Sequence, residues 1–556
     1  MARWQDIARE KRAATLAKIP DRWMLAEQTL AAAKEQRSIA GRFFESLLDD
    51  ATSTITTSSN DVLLARMASG ELSAVSVVSA FCRRAAYAHQ LSNCLLEINF
   101  KAALARAYRL DTYFETHGKL LGPLHGLPYT MKDHWHVKGL DTSMGYVGWI
   151  GTQGGRPRTG VEDVESELVT SLNALGAVLI AKTSLMQSTW NGETSNNILG
   201  YQWSPCNHHL SSGGSSGGEG ALQALRGSAL GFGSDIGGSV SMPAASNGVF
   251  SLKPSHGRVP MQNIANSSAG QMTIPTVAGM YAQSVSDLRL VFEALLSSQA
   301  WLRDPEVLPL PFRDSSTVDA HQLAFGLLVS DPLAKPHPPV TRALRMVANA
   351  LKVQKHEIVE WQAPGHGVAE SLHSLITDAD RHVDVGQRLK LSGEPLMPTL
   401  GGLVDPGLDP PVPVNEYYST VLKVQAFRAE YAKYWNASQA ESSTGRPVDA
   451  IVMPVMPHAA PRPGMIYNYG YSCIINLLDY CSVVIPVTRA DKNVDKVDSQ
   501  YEPTCQQDAD TWEAYDPEIF HNTPVAVQIV CRRLEEEKLL AIAQKVCDAL
   551  AAYKTA

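Results

Sequence analysis

Apolar residues recur at helical spacing near the start of the chain. In "DVLLARMASGELSAVSVVSAFCRRAAYA" (61–88), Leu63, Leu64 and Met67 share one face and Val75, Val78 and Phe81 another, with Gly70 between the two runs. Two helices separated by a glycine break are predicted. Residues 1–60 are expected to form an N-terminal helical segment packed on one catalytic domain spanning 61–556. From about residue 120 the pattern changes. "VESELVTSLNALG" places Val164, Leu168, Leu172 and Leu175 on one side, Gly176 stops it, and "AVLIAKT" follows as a short buried strand. Helix, glycine and apolar strand in that order mark an α/β fold. Residues 335–360 read as a helix followed by a strand, and 449–455, 482–488 and 525–530 read as core strands. A last helix over about 534–552 carries Leu539, Ile542, Val546 and Leu550 on one stripe, with "EEEK" expected on its solvated face. The proline-rich stretch 395–417 is read as a surface excursion over a pocket.

Composition narrows the class. Of the 556 residues 44% are hydrophobic and 19% charged, and the formal net charge is -8, so the electrostatic footprint of a nucleic-acid binder is missing. No run of about 18 apolar residues occurs, and the N-terminus lacks the apolar stretch of a secretory signal, so no membrane association and a cytoplasmic location are expected. Eight cysteines lie far apart without a CxxC pair, which suits a reducing compartment better than a disulfide scaffold.

The most repetitive stretch, "SSGGSSGGEGA" (211–221), looks at first like a flexible linker. Ten glycines between 211 and 239 are interleaved with Leu, Phe and Ile, which argues instead for buried, closely approached backbone. A P-loop needs Lys and then Ser or Thr after its last glycine, but Ala221 stands there. A dinucleotide loop fails too, because Ile236 occupies the third glycine position in "GFGSDI". A catalytic loop fits better. Ser239 follows two glycines in "SDIGGS", and the amides of Ile236, Gly237, Gly238 and Ser239 are placed to surround an oxyanion. A base has several candidates. His125, His134, His136, His208 and His209 lie in turn-rich surroundings, and Lys132 ends the apolar run "GLPYTM". A lysine in apolar surroundings loses its proton more readily, though pairing with Asp133 is the plainer alternative. "HWH" and "HH" lack the spacing of a metal site, so no metal and no cofactor are expected.

Five stretches occur together in one order: "GPLHGLPYTMKD", "GGSSGGEGAL", "GSDIGGSV", "PAA" and "LKPSHGRVP". In them the chain resembles the amidase signature family, and its flanks and ends resemble the fungal acetamidase and general amidase branch. The resemblance implies a large twisted mixed β-sheet with helices on both faces. It also implies a Ser-Ser-Lys triad: Ser239 as nucleophile, Ser215 as a proton bridge after a cis peptide bond, and Lys132 as base. Thr189 and Trp190 would face the acyl pocket. The activity implied is hydrolysis of a carboxylic acid amide to acid and ammonia or amine, with esters also accepted. A small-molecule amide is the expected partner, with the chain acting alone or as a homodimer. Acyl transfer to an amine, making an amide or closing a ring, uses the same triad and is the alternative. A glutaminase-type amidotransferase subunit is disfavoured by the chain's ends. Four positions depart from the family pattern: Ser241 for Arg, Ser251 for Gly, Ser234 for Thr, and Met186 for Pro. The missing Arg is expected to deprive Asp235 of a partner.

Overall fold

The computed structural model describes residues 3–160, 163–314, 322–362, 365–404, 406 and 409–555. Among them, strands from both halves of the chain join in one eleven-stranded sheet. In chain order these are β1 (Leu95–Ile98), β2 (Pro128–Lys132), β3 (Val178–Thr183), β4 (Leu230–Asp235), β5 (Phe250–Lys253), β6 (Val277–Ala282), β7 (Ala324–Leu327), β8 (Glu357–Glu360), β9 (Ala450–Met453), β10 (Cys481–Arg489) and β11 (Pro524–Cys531). Their order across the sheet is β1-β3-β2-β4-β6-β5-β10-β11-β9-β7-β8. The runs β3-β2-β4 and β9-β7-β8 are parallel, and every other neighbouring pair is antiparallel. Within the parallel runs β3, β4 and β9 are buried throughout, as expected where crossover helices cover a parallel sheet, whereas the edge strand β8 is only partly buried. The expected mixed sheet flanked by helices is therefore present.

The N-terminal helices, from Trp4–Leu16 to Ala74–Ser92, lay Trp23, Phe44, Leu63 and Val78 against the same core that contains Val178, Phe232 and Ile529. Gly70, at φ +76°, separates the helices Asn60–Ala68 and Ala74–Ser92, as the spacing predicts. Two expectations fail. The helix read from Val164 begins only at Glu167. The Val164 amide donates to Gln153 Oε1, and Ser166 Oγ accepts from His136 N, so that segment docks on the neighbouring loop before the helix starts. Nor is "EEEK" a wet face. Glu536 and Glu537 are buried, and the buried guanidinium of Arg258 donates 2.7 Å bonds to each. A charge run at the start of a helix reads as solvated unless its counter-charge, here 279 residues away from Glu537, is known.

The glycine-rich stretch is neither linker nor slack. Residues 211–221 are all buried. A Cβ on Gly214 would collide with the backbone carbonyl of Glu193, and one on Gly218 would lie 2.5 Å from Ser184 N. Only glycine permits this approach of backbone to backbone.

Candidate active site

Lys132 ends β2, and alternation along the strand puts Thr130 and Lys132 on one face and Tyr129 and Met131 on the other. Its ammonium is fully buried and does not pair with Asp133, which instead meets Lys182 at 2.6 Å and accepts a 2.6 Å bond from Ser143 Oγ. Lys132 Nζ donates to Ser215 Oγ at 2.7 Å and to Ser234 Oγ at 2.9 Å. Burial lowers its pKa to about 7, against the opposing pull of the Asp235 carboxylate. At neutral pH a substantial share of Lys132 is then the free amine, which an exposed lysine is not.

Ser215 follows a cis peptide bond from Gly214. Its carbonyl accepts from Met186 N at 3.1 Å, and Gly218 N donates to Ser184 O at 3.1 Å, so the loop is pinned to the segment leaving β3. The helix after it opens at Gly217. Its Glu219 is buried beneath Lys132's strand and accepts from Thr130 Oγ1 and Thr183 Oγ1 at 2.5 and 2.9 Å. Burial lifts its carboxyl to about 7.

Asp235 ends β4 and folds the loop that follows. Its carboxylate accepts from the amides of Gly238 (2.7 Å), Val240 (2.6 Å) and Ser241 (3.3 Å). The backbone thus supplies the partners that the absent arginine was expected to withdraw. These bonds also engage Gly238 N–H, one of the four amides placed around an oxyanion from the sequence. Ser239, half-buried, opens into two adjoining cavities. The smaller is lined by Ser215, Ser234, Ser239 and Thr276, so the two serines singled out from the sequence and the lysine bonded to one of them converge at one place. Thr189 and Trp190 line both cavities. Thr189 has φ +71° after Ser188 at +68°, a left-handed pair that a β-branched residue rarely adopts.

Of the histidines weighed from the sequence, none lines either cavity. His134 Nδ1 donates to Ala265 O, His136 Nδ1 lies 3.1 Å from Thr142 Oγ1, and His125 Nδ1 accepts from Leu121 N. His208 and His209 lie on the short strand Asn207–Ser211. Among the described residues no group of three His, Cys, Asp or Glu side chains is arranged to hold a metal, and the eight cysteines are free thiols. Sequence reasoning missed Ser234 as the second partner of Lys132. It also missed the far wall of the larger cavity: Glu370 and His373 from the helix His366–Thr377, Asp378 and His382 from the turn after it, with Leu403 and Tyr469. Leu403 lies in the proline-rich excursion, so that stretch does border the cavity. No motif announces the other wall residues; only the fold brings them near Ser239.

A family model described as Amidase matches residues 76–540. The acetamidase of Aspergillus oryzae is 41% identical over 551 residues, covering 98% of each chain. Amidase 1 of Gibberella moniliformis is 39% identical over 478 residues, 85% of this chain and 89% of that one. Among solved structures, fatty acid amide hydrolase superposes with a TM-score of 0.91 at 30% identity, covering 99% of this chain and 95% of that one. Among the described residues no helix is long and apolar enough to cross a membrane.

Proposed function

Because the chain belongs to the amidase family and is a hydrolase acting on amide C–N bonds, we propose that it works through Ser239 as nucleophile, Ser215 as proton bridge and Lys132 as base. One observation carries this reading: a fully buried lysine with pKa near 7, bonded to a serine that shares a cavity with Ser239. The neutral amine turns its lone pair to the Ser215 hydroxyl while keeping an N–H for Ser234. As Ser239 Oγ attacks the carbonyl carbon, its proton passes to Ser215, and the Ser215 proton passes to Lys132. The new oxyanion takes the amides of Ile236, Gly237 and Ser239, since Gly238 N–H is engaged by Asp235. Collapse breaks the C–N bond, the leaving nitrogen takes a proton back through Ser215, and water releases the acid from the acyl-enzyme by the same relay.

The substrate reading rests on the relatives' names and on charge. Acetamidases among the relatives point to the amide of a small acid. The larger cavity is lined by Glu370 and Asp378 and, among the described residues, by no lysine or arginine. Uncharged or ammonium-bearing amides suit it, and amides carrying a second carboxylate do not. Esters follow the same route with an easier leaving group, and an added amine competes with water for the acyl-enzyme. A fluorophosphonate probe is expected to add its mass at Ser239 and nowhere else, and Ser239→Ala is expected to lose both the label and amide turnover. Wild-type turnover in the Ser239→Ala variant would sink the assignment.

A further inference from the structure

One histidine that no motif marks touches the loop before the nucleophile. His373, on the helix His366–Thr377, lies 2.7 Å from the carbonyl oxygen of Ile236 through its Nε2, across 137 residues of sequence. A carbonyl only accepts, so Nε2 carries the proton and donates. The ring also lies against the next residue: a Cβ placed on Gly237 would sit 3.2 Å from His373 Cε1 and Nε2. Burial lowers the His373 pKa, so this is the neutral ring at neutral pH.

Ile236 C=O and Gly237 N–H belong to one peptide unit. In a trans peptide they point in opposite directions. Holding the carbonyl toward His373 therefore turns Gly237 N–H away from that helix. Ile236 and Ser239 line both cavities, whereas Gly237 and His373 line only the larger, so the peptide lies beside Ser239 where the two cavities meet. The next peptide is held from another quarter, since Gly238 N–H donates to Asp235 at 2.7 Å. Two consecutive peptides are thus clamped from outside, neither through Gly237 N–H. A hydrogen bond to the carbonyl also polarises the whole amide and makes its N–H a better donor.

We propose that His373 is a positioning residue that orients and polarises the Ile236–Gly237 peptide so that Gly237 N–H faces the developing oxyanion. This rests on the hydrolase reading above and extends it to the opposite half of the chain. His373 shares the larger cavity with Ser239, but its hydrogen bond goes to the Ile236 carbonyl and not to Ser239, Ser215 or Lys132. Its contribution is made where charge develops, so its loss lowers kcat and leaves KM nearly alone.

The test is His373→Ala, measured with an uncharged amide and with a trifluoromethyl ketone, which Ser239 converts to an oxyanion adduct. Because removing an oxyanion donor outright costs about 100- to 1000-fold, losing only its orientation is expected to lower kcat by about 10- to 100-fold. KM should stay within about twofold, and ketone affinity should fall by the same factor as kcat. His373→Gln, whose terminal amide reaches the place of Nε2, should recover most of the loss, and His373→Asn, which is too short, should not. Unchanged kcat, a loss confined to KM, or unchanged ketone affinity would each overturn the proposal. If the alanine variant melts early, the Gln and Asn variants are compared where both remain folded, and equal rates again overturn it. The two readings fail differently. A wild-type enzyme that takes no fluorophosphonate at Ser239 removes the hydrolase reading, whereas a labelled enzyme with a fully active His373→Ala removes only this one.

Discussion

The two halves of the sheet contribute to the cavity in different ways. Strands β1 to β6 and their loops carry Lys132, Ser215, Ser234, Asp235 and Ser239, and four of these five are buried. The side chains of Lys132, Ser215, Ser234 and Asp235 are hydrogen-bonded, and Gly214 and Gly218 have no room for a methyl group. The C-terminal half sends helix residues and turns to the same cavity, with Ser374 and Leu403 exposed and Glu370, His373 and Asp378 half-buried. The first half has little freedom to change and the second has more. On the proposed mechanism, reactivity resides in the tightly packed half and selectivity in the looser one, and His373 connects the two halves by its hydrogen bond to the Ile236 carbonyl.

Substitutions can break this division or sharpen it. The largest effect is expected for Lys132→Met, which should lower kcat/KM by at least about 1000-fold, as loss of a unit in a relay does. The same change should raise the melting temperature. With its pKa lowered to about 7, the amine is bound less tightly to its proton in the folded chain than in the unfolded one. Its burden on stability is complete below about pH 7 and fades as pH rises toward the ordinary lysine value. The gain from methionine should therefore be larger at pH 6 than at pH 10, and calorimetry at both values checks it. In the wild type, kcat/KM should climb with pH and level off above about 7 as Lys132 becomes neutral; a profile flat from about pH 5 to 9 would deny it the role of base. Next, Gly214→Ala should abolish activity and cost about 3 kcal/mol or more of stability, because the new methyl group meets backbone that cannot yield. Ser234→Ala leaves Lys132 its bond to Ser215, so a fall of about 10-fold in kcat is expected, corresponding to one lost hydrogen bond of about 1.4 kcal/mol. The smallest change on a neutral amide is expected for Glu370→Gln: within about twofold there, but about fivefold better kcat/KM for an amide bearing a second carboxylate. If that variant instead lost kcat on a neutral amide, the separation of reactivity from selectivity would not hold.

Sequence alone made the first half far more legible than the second. The strand ending at Lys132 and the loops at Ser215 and Ser239 are short, local patterns whose residue types answer a local demand. The strands read at 177–183, 482–488 and 525–530 are found within a residue or so at Val178–Thr183, Cys481–Arg489 and Pro524–Cys531, because continuous burial leaves a continuous apolar run. What stayed hidden depends on partners distant in sequence. Asp235 looked deprived when its arginine was absent, yet three backbone amides satisfy it. His373 and Glu370 sit on an ordinary-looking helix, and their importance comes from where that helix lies. Five histidines in suggestive surroundings proved to be elsewhere, since ring chemistry says nothing about direction.

The cluster of Arg258 with Glu536 and Glu537 has a consequence for biosynthesis. A guanidinium buried without its carboxylates is penalised by about 3–5 kcal/mol. Arg258 belongs to the turn just after β5, long emerged from the ribosome while the two glutamates are still being translated. Until they arrive, that turn has no favourable way to close over its own charge.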